Sequence, residues 1–339
     1  MADPIINRRI VLAKYLEGEP SDSHFRIEQT PMRELGDGEV LLKSVFLSLD
    51  PYVRNRMTNA QSYAKGLSIG DVVIGETVAE VVASRHSAFG PGDRVLSWVG
   101  WQEYAISDGS DLRLLPYADV PPSTFLGVLG MPGMTAYTGL AEIGKPQAGE
   151  TVVVPAASGP VGSAVGQIAR IQGARAVGIA GGATKCKRLI DDYGFDAAVD
   201  HRAPDFEAQL RHACPNGIDV YFDSVGGHPL TVATSMLNDF SRIPLCGTIA
   251  DYTLPASPPG PDRRPSFVRA LLTHRVTMRG FIVYDFAHRK AEFEEAMSAW
   301  IRAGTIRYRE DISVGLESAP GTFIGMLGGK NDGKVIVAL

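Results

Sequence analysis

The sequence predicts an α/β chain in which a doubly wound parallel sheet is inserted into a split, barrel-like β domain. Three observations carry this. The chain has 339 residues, more than one hydrophobic core ordinarily organises, so two structural units are expected. From about residue 125 to 305, strand-like runs alternate with apolar-faced helical runs, the pattern of crossover units feeding a parallel sheet. On either side, at 1–124 and 306–339, short apolar or alternating runs are separated by turn residues.

In the first segment the strand-like runs are VLLKSVF (40–46), VVIGETVAEVV (72–82), DRVLSWV (93–99) and QEYAIS (102–107). Between them lie Gly36-Asp37-Gly38, Pro91-Gly92-Asp93 and Ser107-Asp108-Gly109, residues that tight turns favour. The middle segment opens with TVVVPAA (151–157) as a buried strand and VGSAVGQIARIQG (161–173) as a helix ending in glycine. RAVGIA (175–180) and KCKRLIDDY (185–193) repeat the unit. AAVD (197–200), DFEAQLRHAC (205–214), IDVYFDSVG (218–226) and HPLTVATSML (228–237) continue it. IPLCGTIA, up to Ala250, reads as a fifth strand with Tyr252 just beyond it. The proline cluster LPASPPGPDRRP (254–265) reads as a surface loop rather than helix or central strand. After Ile306 short strands return, ending in GKVIVAL (333–339), a strand expected to rejoin the first domain.

Composition excludes several classes. Hydrophobic residues at 45% and charged residues at 21% fit a globular chain. A formal charge of -5 argues against a nucleic-acid partner. No run approaches the ~20 apolar residues of a membrane span, and the first residues lack a signal-peptide core, so a cytoplasmic location is expected. The three cysteines, Cys186, Cys214 and Cys246, cannot build a disulfide framework. They also all lie in the middle segment. In the first segment His24 and His86 stand in charged turns where solvation is the ordinary state, and Asp50 and Glu76 are the carboxylates a metal could use. Asp50 before Pro51 is equally a turn capper. No metal is expected, because catalytic zinc needs about three convergent protein ligands.

The strongest chemical signal is TVVVPAASGPVG (151–162) running straight into a helix. A helix N-terminus aims free N–H groups and its positive dipole end at whatever lies above it, and pyrophosphate suits that position. Gly159 and Gly162 permit close approach and tight packing, although the spacing is A-x-x-G-x-x-G rather than the full dinucleotide fingerprint. The second strand ends in Gly181-Gly182, without the carboxylate that takes ribose hydroxyls in NAD-binding units. Lys185 follows, and His201-Arg202 closes the next strand. Room plus positive charge favours the 2′-phosphate, hence NADPH over NADH. Lys185 could also be solvated helix face like Lys187 and Arg188, and His201 an ordinary strand-end residue.

With those motifs in hand, the chain resembles the zinc-independent medium-chain dehydrogenase/reductases, in the branch of prostaglandin/leukotriene reductases, plant alkenal double-bond reductases and bacterial curcumin reductases. LSLDPYVRNRM (47–57), GWQEYAISDG (100–109), GMPGMTAYTGL (130–140), AASGPVGSAVGQIA (156–169), YFDSVGG (221–227), CGTIADY (246–252), RGFIVYDF (279–286) and TFIGMLGGKNDGK (322–334) carry the resemblance. It implies a GroES-like β-barrel domain around a Rossmann domain, with NADPH in the cleft between them, and a homodimer. It also implies that Gly159, Pro160, Val161 and Gly162 hold the pyrophosphate, and that Gly182, Lys185 and the position of His201 hold the 2′-phosphate. A tyrosine is usual where His201 stands, and an asparagine where Ser224 stands. The resemblance puts the backbone of Cys246, Gly247 and the residues up to Tyr252, and of Phe281, Ile282 and Val283, along the nicotinamide. Asn331, Met131 and Thr135 would flank the same half, and Tyr52 and Tyr63 are candidates for the wall of a substrate pocket.

The activity so implied is reduction of the carbon–carbon double bond of an α,β-unsaturated ketone or aldehyde. Hydride adds to the β-carbon and negative charge moves to the carbonyl oxygen, so a hydrogen-bond donor aimed there lowers the barrier. Tyr252 is the candidate, since a phenol remains a donor at neutral pH; its ring could instead pack on the proline loop. Cys246 reads as a small buried residue, not a nucleophile, with no histidine near it in sequence. The competing readings are an NADPH quinone reductase and a non-catalytic NADPH-binding protein.

Overall fold

The computed structural model describes residues 4–60, 64–252, 262 and 264–339. They divide into two compact units, residues 1–126 with 310–339, and residues 127–309.

In chain order the first unit begins with strands β1 (Ile6–Leu12), β2 (Phe25–Pro31), β3 (Val40–Ser48), β4 (Thr77–Ser84), β5 (Arg94–Ser97), β6 (Tyr104–Ser107) and β7 (Arg113–Leu114), with a short helix α1 (Val53–Arg56) after β3. The second unit holds the parallel strands β8 (Thr151–Val154), β9 (Arg175–Ala180), β10 (Ala197–Asp200), β11 (Ile218–Tyr221), β12 (Leu237–Leu245) and β13 (Thr277–Gly280). Its helices are α2 (Met131–Gly139), α3 (Pro160–Ile171), α4 (Ala183–Asp191), α5 (Phe206–Ala213), α6 (Gly227–Thr234), α7 (Arg264–Thr273) and α8 (Lys290–Arg302). The chain then returns with β14 (Glu310–Val314), helix α9 (Ala319–Leu327) and β15 (Lys334–Ala338).

β14 and β15 enter the first unit's main sheet, ordered β14-β15-β3-β4-β5-β7, with β6 also on β3. β15 pairs antiparallel with β3, Val337 opposite Leu47, which places the chain's last residues beside its first fifty. Two expectations are corrected here. The run 72–82 is not one strand: a Cβ at Gly75 would lie 3.1 Å from the Ser48 carbonyl oxygen, so regular pairing begins at Thr77, while Val73 hydrogen-bonds back to Ile10 at 2.9 Å. Nor are the residues after Ile306 only strands, because α9 intervenes. Ala319, Phe323 and Met326, spaced as one helical face, all face the core. There the ring of Trp101 stacks on Phe25 at 5.5 Å and meets Phe323 edge-on at 5.7 Å, fixing where α9 sits.

The second unit's sheet is ordered β10-β9-β8-β11-β12-β13, all neighbours parallel. Counted from β8 this is the doubly wound order 3-2-1-4-5-6, with its switch point between β8 and β11. Because every strand runs the same way, all six C-terminal ends lie along one edge. β8 is buried on both faces, which explains its unbroken Thr-Val-Val-Val run. The loop expected at 254–265 is corrected at its end: Arg264 and Pro265 open α7, where a first-turn proline loses no hydrogen bond, and residues 253–261 and 263 lie outside the described residues.

Candidate active site at the strand ends

After β8 the chain turns sharply through Ala156, whose φ of 49° is the left-handed region a side chain enters at a cost. The turn closes when Gly159 donates to the Ala156 carbonyl at 2.9 Å. α3 starts at once, with Gly159 as its N-cap, Pro160 in its first turn and no side-chain cap. Its first N–H groups therefore have neither an intrahelical nor a capping acceptor, the arrangement that receives an anion. Gly162 serves packing: a Cβ there would lie 2.6 Å from the Ala156 oxygen and 2.7 Å from Ala157 Cα. At Gly159 the same atom would come only to 3.2 Å of that oxygen.

Beyond β9, Gly182 holds φ 95°, a backbone only glycine adopts without strain, and caps α4. Lys185 lies in that helix's first turn. His201 and Arg202 follow β10 and lean over Gly181, where a Cβ would be 3.0 Å from His201 Nε2 and 2.9 Å from Arg202 Nε. Sequence reasoning gave Arg202 no separate role and missed Asp200, whose Oδ1 accepts the N–H groups of Gly182 and Arg202, each at 2.9 Å. Those two donors hold the Asp200 carboxyl below its ordinary range. So a carboxylate does reach the second strand's turn, but it is committed to shaping the backbone. Its place at the end of the neighbouring strand was the available signal.

Beyond β11, Ser224 follows the buried Asp223, whose Oδ1 accepts the N–H groups of Val225 (2.9 Å) and Gly226 (2.8 Å). Burial raises the Asp223 pKa against the pull of those amides, with Asp251 adding to the rise, and its Oδ2 is buried without a partner. This residue was also missed; an aspartate two and three residues before the amides of a Gly-Gly turn is the pattern that marks it.

The fifth strand ends at Leu245, which corrects the expected strand IPLCGTIA. Beyond it the chain leaves the sheet and bonds to the neighbouring loop, Ile249 N–H to the Ser224 carbonyl at 3.4 Å and Ala250 N–H to that of Val225 at 3.0 Å. Gly247 allows the approach, since a Cβ there would be 3.3 Å from the Ser224 oxygen. Tyr252, half-buried, therefore closes the 3₁₀ turn Ile249–Asp251 instead of capping a strand. Burial pushes the Cys246 thiol up to about 12, which suits an unreactive thiol. Beyond β13, Phe281 bonds through its N–H to the Leu245 carbonyl at 3.1 Å and packs edge-on against Phe222; Ile282 and Val283 follow it. α2, carrying Met131 and Thr135, packs on α3, and the Thr135 hydroxyl donates to the Met131 carbonyl at 2.8 Å.

In the first unit, Asn331 lies in the turn before β15 and its Nδ2 donates to the Gly333 carbonyl at 2.9 Å. Tyr52 heads α1 and packs against the first unit's core. Tyr63 lies outside the described residues. Asp50 is more than a turn capper: its Oδ1 receives the buried Lys334 ammonium at 2.6 Å, and Ser48 donates to its Oδ2. His24, expected in solvent, is 6% exposed, and its Nδ1 accepts the Ser21 N–H at 3.0 Å. Among the described residues no group of three or more His, Cys, Asp or Glu side chains is placed to hold a metal ion. Nor is any helix among them long and apolar enough to cross a membrane.

Residues 8–115 match the family model described as the N-terminal domain of oxidoreductase, and residues 160–302 the one described as zinc-binding dehydrogenase. The chain is 49% identical over 332 residues to the NADPH-dependent curcumin reductase of Escherichia coli (strain K12), covering 98% of this chain and 96% of the relative. The chain belongs to the medium-chain dehydrogenase/reductases. Within that family it is also 38% identical over 343 residues to the 2-alkenal reductase (NADP(+)-dependent) of Nicotiana tabacum, covering 99% of this chain and 98% of that enzyme. Among solved medium-chain reductases, CurA of Vibrio vulnificus in complex with NADPH is similar at TM-score 0.94 and 48% identity, over 98% of both chains. The doubly wound sheet is thus the family's Rossmann sheet, and the first unit its GroES-like domain.

Proposed function

We propose that this protein is an NADPH-dependent reductase of the carbon–carbon double bond of α,β-unsaturated ketones and aldehydes. The observation that carries the reading is the near-full-length likeness to a curcumin reductase and a 2-alkenal reductase, both named for NADP(H). The strand-end residues fit that cofactor: a glycine turn under an uncapped helix start suits pyrophosphate, and Lys185, His201 and Arg202 around Gly181-Gly182 suit a 2′-phosphate. In this reading Gly159, Pro160, Val161 and Gly162 hold the pyrophosphate. The segments at Ser224, Cys246-Gly247 and Phe281–Val283, with Met131, Thr135 and Asn331, border the nicotinamide half.

When bound, NADPH would supply the hydride that adds to the β-carbon, and the resulting enolate takes a proton from water at its α-carbon. The chain's own part is to hold the enone and to stabilise charge on its carbonyl oxygen. We assign that to the Tyr252 hydroxyl, which donates a hydrogen bond that strengthens as the enolate forms. The packed turn Ile249–Asp251, tied to the loop after β11, fixes where that hydroxyl begins. Tyr52 and Tyr63 are assigned to the substrate wall, no metal takes part, and the enzyme works in the cytoplasm as a homodimer.

The test is NADPH oxidation over a panel of alkenals, enones and quinones. Turnover fastest with enones or alkenals supports the proposal; a clear preference for quinones would replace it with a quinone reductase, and no turnover with any of them would leave an NADPH-binding protein.

A further inference from the structure

Basic side chains from three elements gather around the turn after β9. Lys185 comes from α4, Arg202 and His201 from the turn after β10, and His228 from the first turn of α6. His201 and Arg202 lean over the same glycine, Gly181. Among the described residues Arg202 bonds through its backbone N–H, to Asp200, while its guanidinium meets no carboxylate. Asp200, the carboxylate within this group, has Oδ1 occupied by two backbone amides. Both leaning residues are exposed, yet their surroundings still lower the His201 pKa from its ordinary 6.5. The largest cause is loss of water around the ring, followed by Arg202, with Lys185 and His228 in the same sense and Asp200 opposing. These surroundings favour the neutral imidazole, beside the Arg202 guanidinium and with Asp200 as the opposing charge.

We infer that His201, held with Arg202 over Gly181, takes up a proton as the 2′-phosphate of NADPH binds. This rests on the NADPH reading above and adds regulation to it: affinity for NADPH is linked to pH, and affinity for NADH is not. A phosphate carrying close to two negative charges beside the ring favours imidazolium, so the bound-state pKa exceeds the free one. Between those two values binding consumes a proton, and affinity falls as pH rises, by at most about tenfold per pH unit for a single proton. A tyrosine here could donate a hydrogen bond but would not titrate in that range.

The experiment measures the dissociation constants of NADPH, NADH and 2′,5′-ADP between about pH 6.5 and 8.5, above the ~6 at which the phosphate itself takes a proton. Calorimetry in two buffers of different ionisation enthalpy counts the protons. The expected result is several-fold weaker NADPH and 2′,5′-ADP binding across the range, with proton uptake, and no trend for NADH. H201Y should bind NADPH without the trend, and H201Q guards against a folding defect specific to the larger ring. R202M should weaken NADPH and 2′,5′-ADP roughly ten- to a hundredfold and leave NADH unchanged. A flat wild-type curve with NADPH still strongly preferred overturns this inference alone. Equal affinity for NADPH and NADH overturns the cofactor reading beneath it.

Discussion

Tyr252 and Lys185 carry the sharpest consequences at the scale of single residues. Tyr252→Phe keeps the ring and deletes the donor. Removing one donor from an oxyanion-type site costs about 2.7–4 kcal/mol, and less is expected here because a water or a cofactor hydroxyl can also reach the oxygen. The chemical step should slow roughly ten- to a hundredfold, read as single-turnover NADPH oxidation with a simple enone, while NADPH affinity stays near wild type. An unchanged rate would reduce Tyr252 to pocket wall. Lys185→Ala should weaken NADPH about ten- to a hundredfold, the worth of one charge-assisted contact, and spare NADH; equal losses for both would remove Lys185 from the phosphate. The thiols are the counter-case. Burial raises Cys214 and Cys246 to about 12, so few thiolates exist at pH 8 and neither should react with iodoacetamide in the folded enzyme. Rapid alkylation of Cys246 with loss of activity would show that its strand end opens.

Among the elements, the junction of β8 and α3 joins fold to chemistry. The same turn that presents the helix's first N–H groups requires Ala156 in a left-handed conformation and α3 pressed against the loop at Gly162. Gly162→Ala inserts a methyl 2.6 Å from a backbone oxygen, which the backbone must move to admit. Overpacking of that kind costs about 1–3 kcal/mol, and here it also displaces the proposed pyrophosphate seat. Gly159→Ala, with its nearest contact at 3.2 Å, should cost less stability. Urea unfolding of the two variants decides this, and a larger loss for Gly159→Ala would contradict the assignment of Gly162 to packing.

For the molecule as a whole, the returning segment 310–339 is tied to the first fifty residues by charge as well as by strand pairing. Lys334 and Asp50 are 3% and 6% exposed, and the ammonium also donates to the Leu49 carbonyl at 2.9 Å. Removing one member of a buried pair leaves the other uncompensated, at about 3–5 kcal/mol. Lys334→Met should therefore lower the urea midpoint sharply, and a loss under about 1 kcal/mol would mean water reaches Asp50. The same pair bears on metal: Asp50 is engaged, and no cysteine belongs to residues 1–126 or 310–339. Purified enzyme should carry no stoichiometric zinc and keep its activity with chelators, and one tight equivalent by elemental analysis would refute this.

By itself the sequence determined the fold class and the family, because both rest on local signals. Period-two and period-3.6 runs, the glycine turn after a Thr-Val-Val-Val strand, and the absence of a carboxylate after Ala180 are all legible one neighbourhood at a time. β1, β2 and α9 were not, although their spacings were present. β2 alternates only weakly, and α9 owes its position to Phe323 meeting Trp101 and Phe25, residues hundreds of positions away. The extent of β12 and the true setting of Tyr252 were decided by hydrogen bonds to the Ser224 and Val225 carbonyls, which no local pattern reports. Asp200, Arg202, Asp223 and the Lys334–Asp50 pair belong to the same class. Their partners come from neighbouring strands or distant segments, and only the packed sheet sets whether a charge ends in water, on a backbone amide or against another charge. That is the physical reason the chemistry's alphabet was readable in advance and its spelling was not: periodicity is a property of neighbours in sequence, whereas desolvation and pairing are properties of neighbours in space.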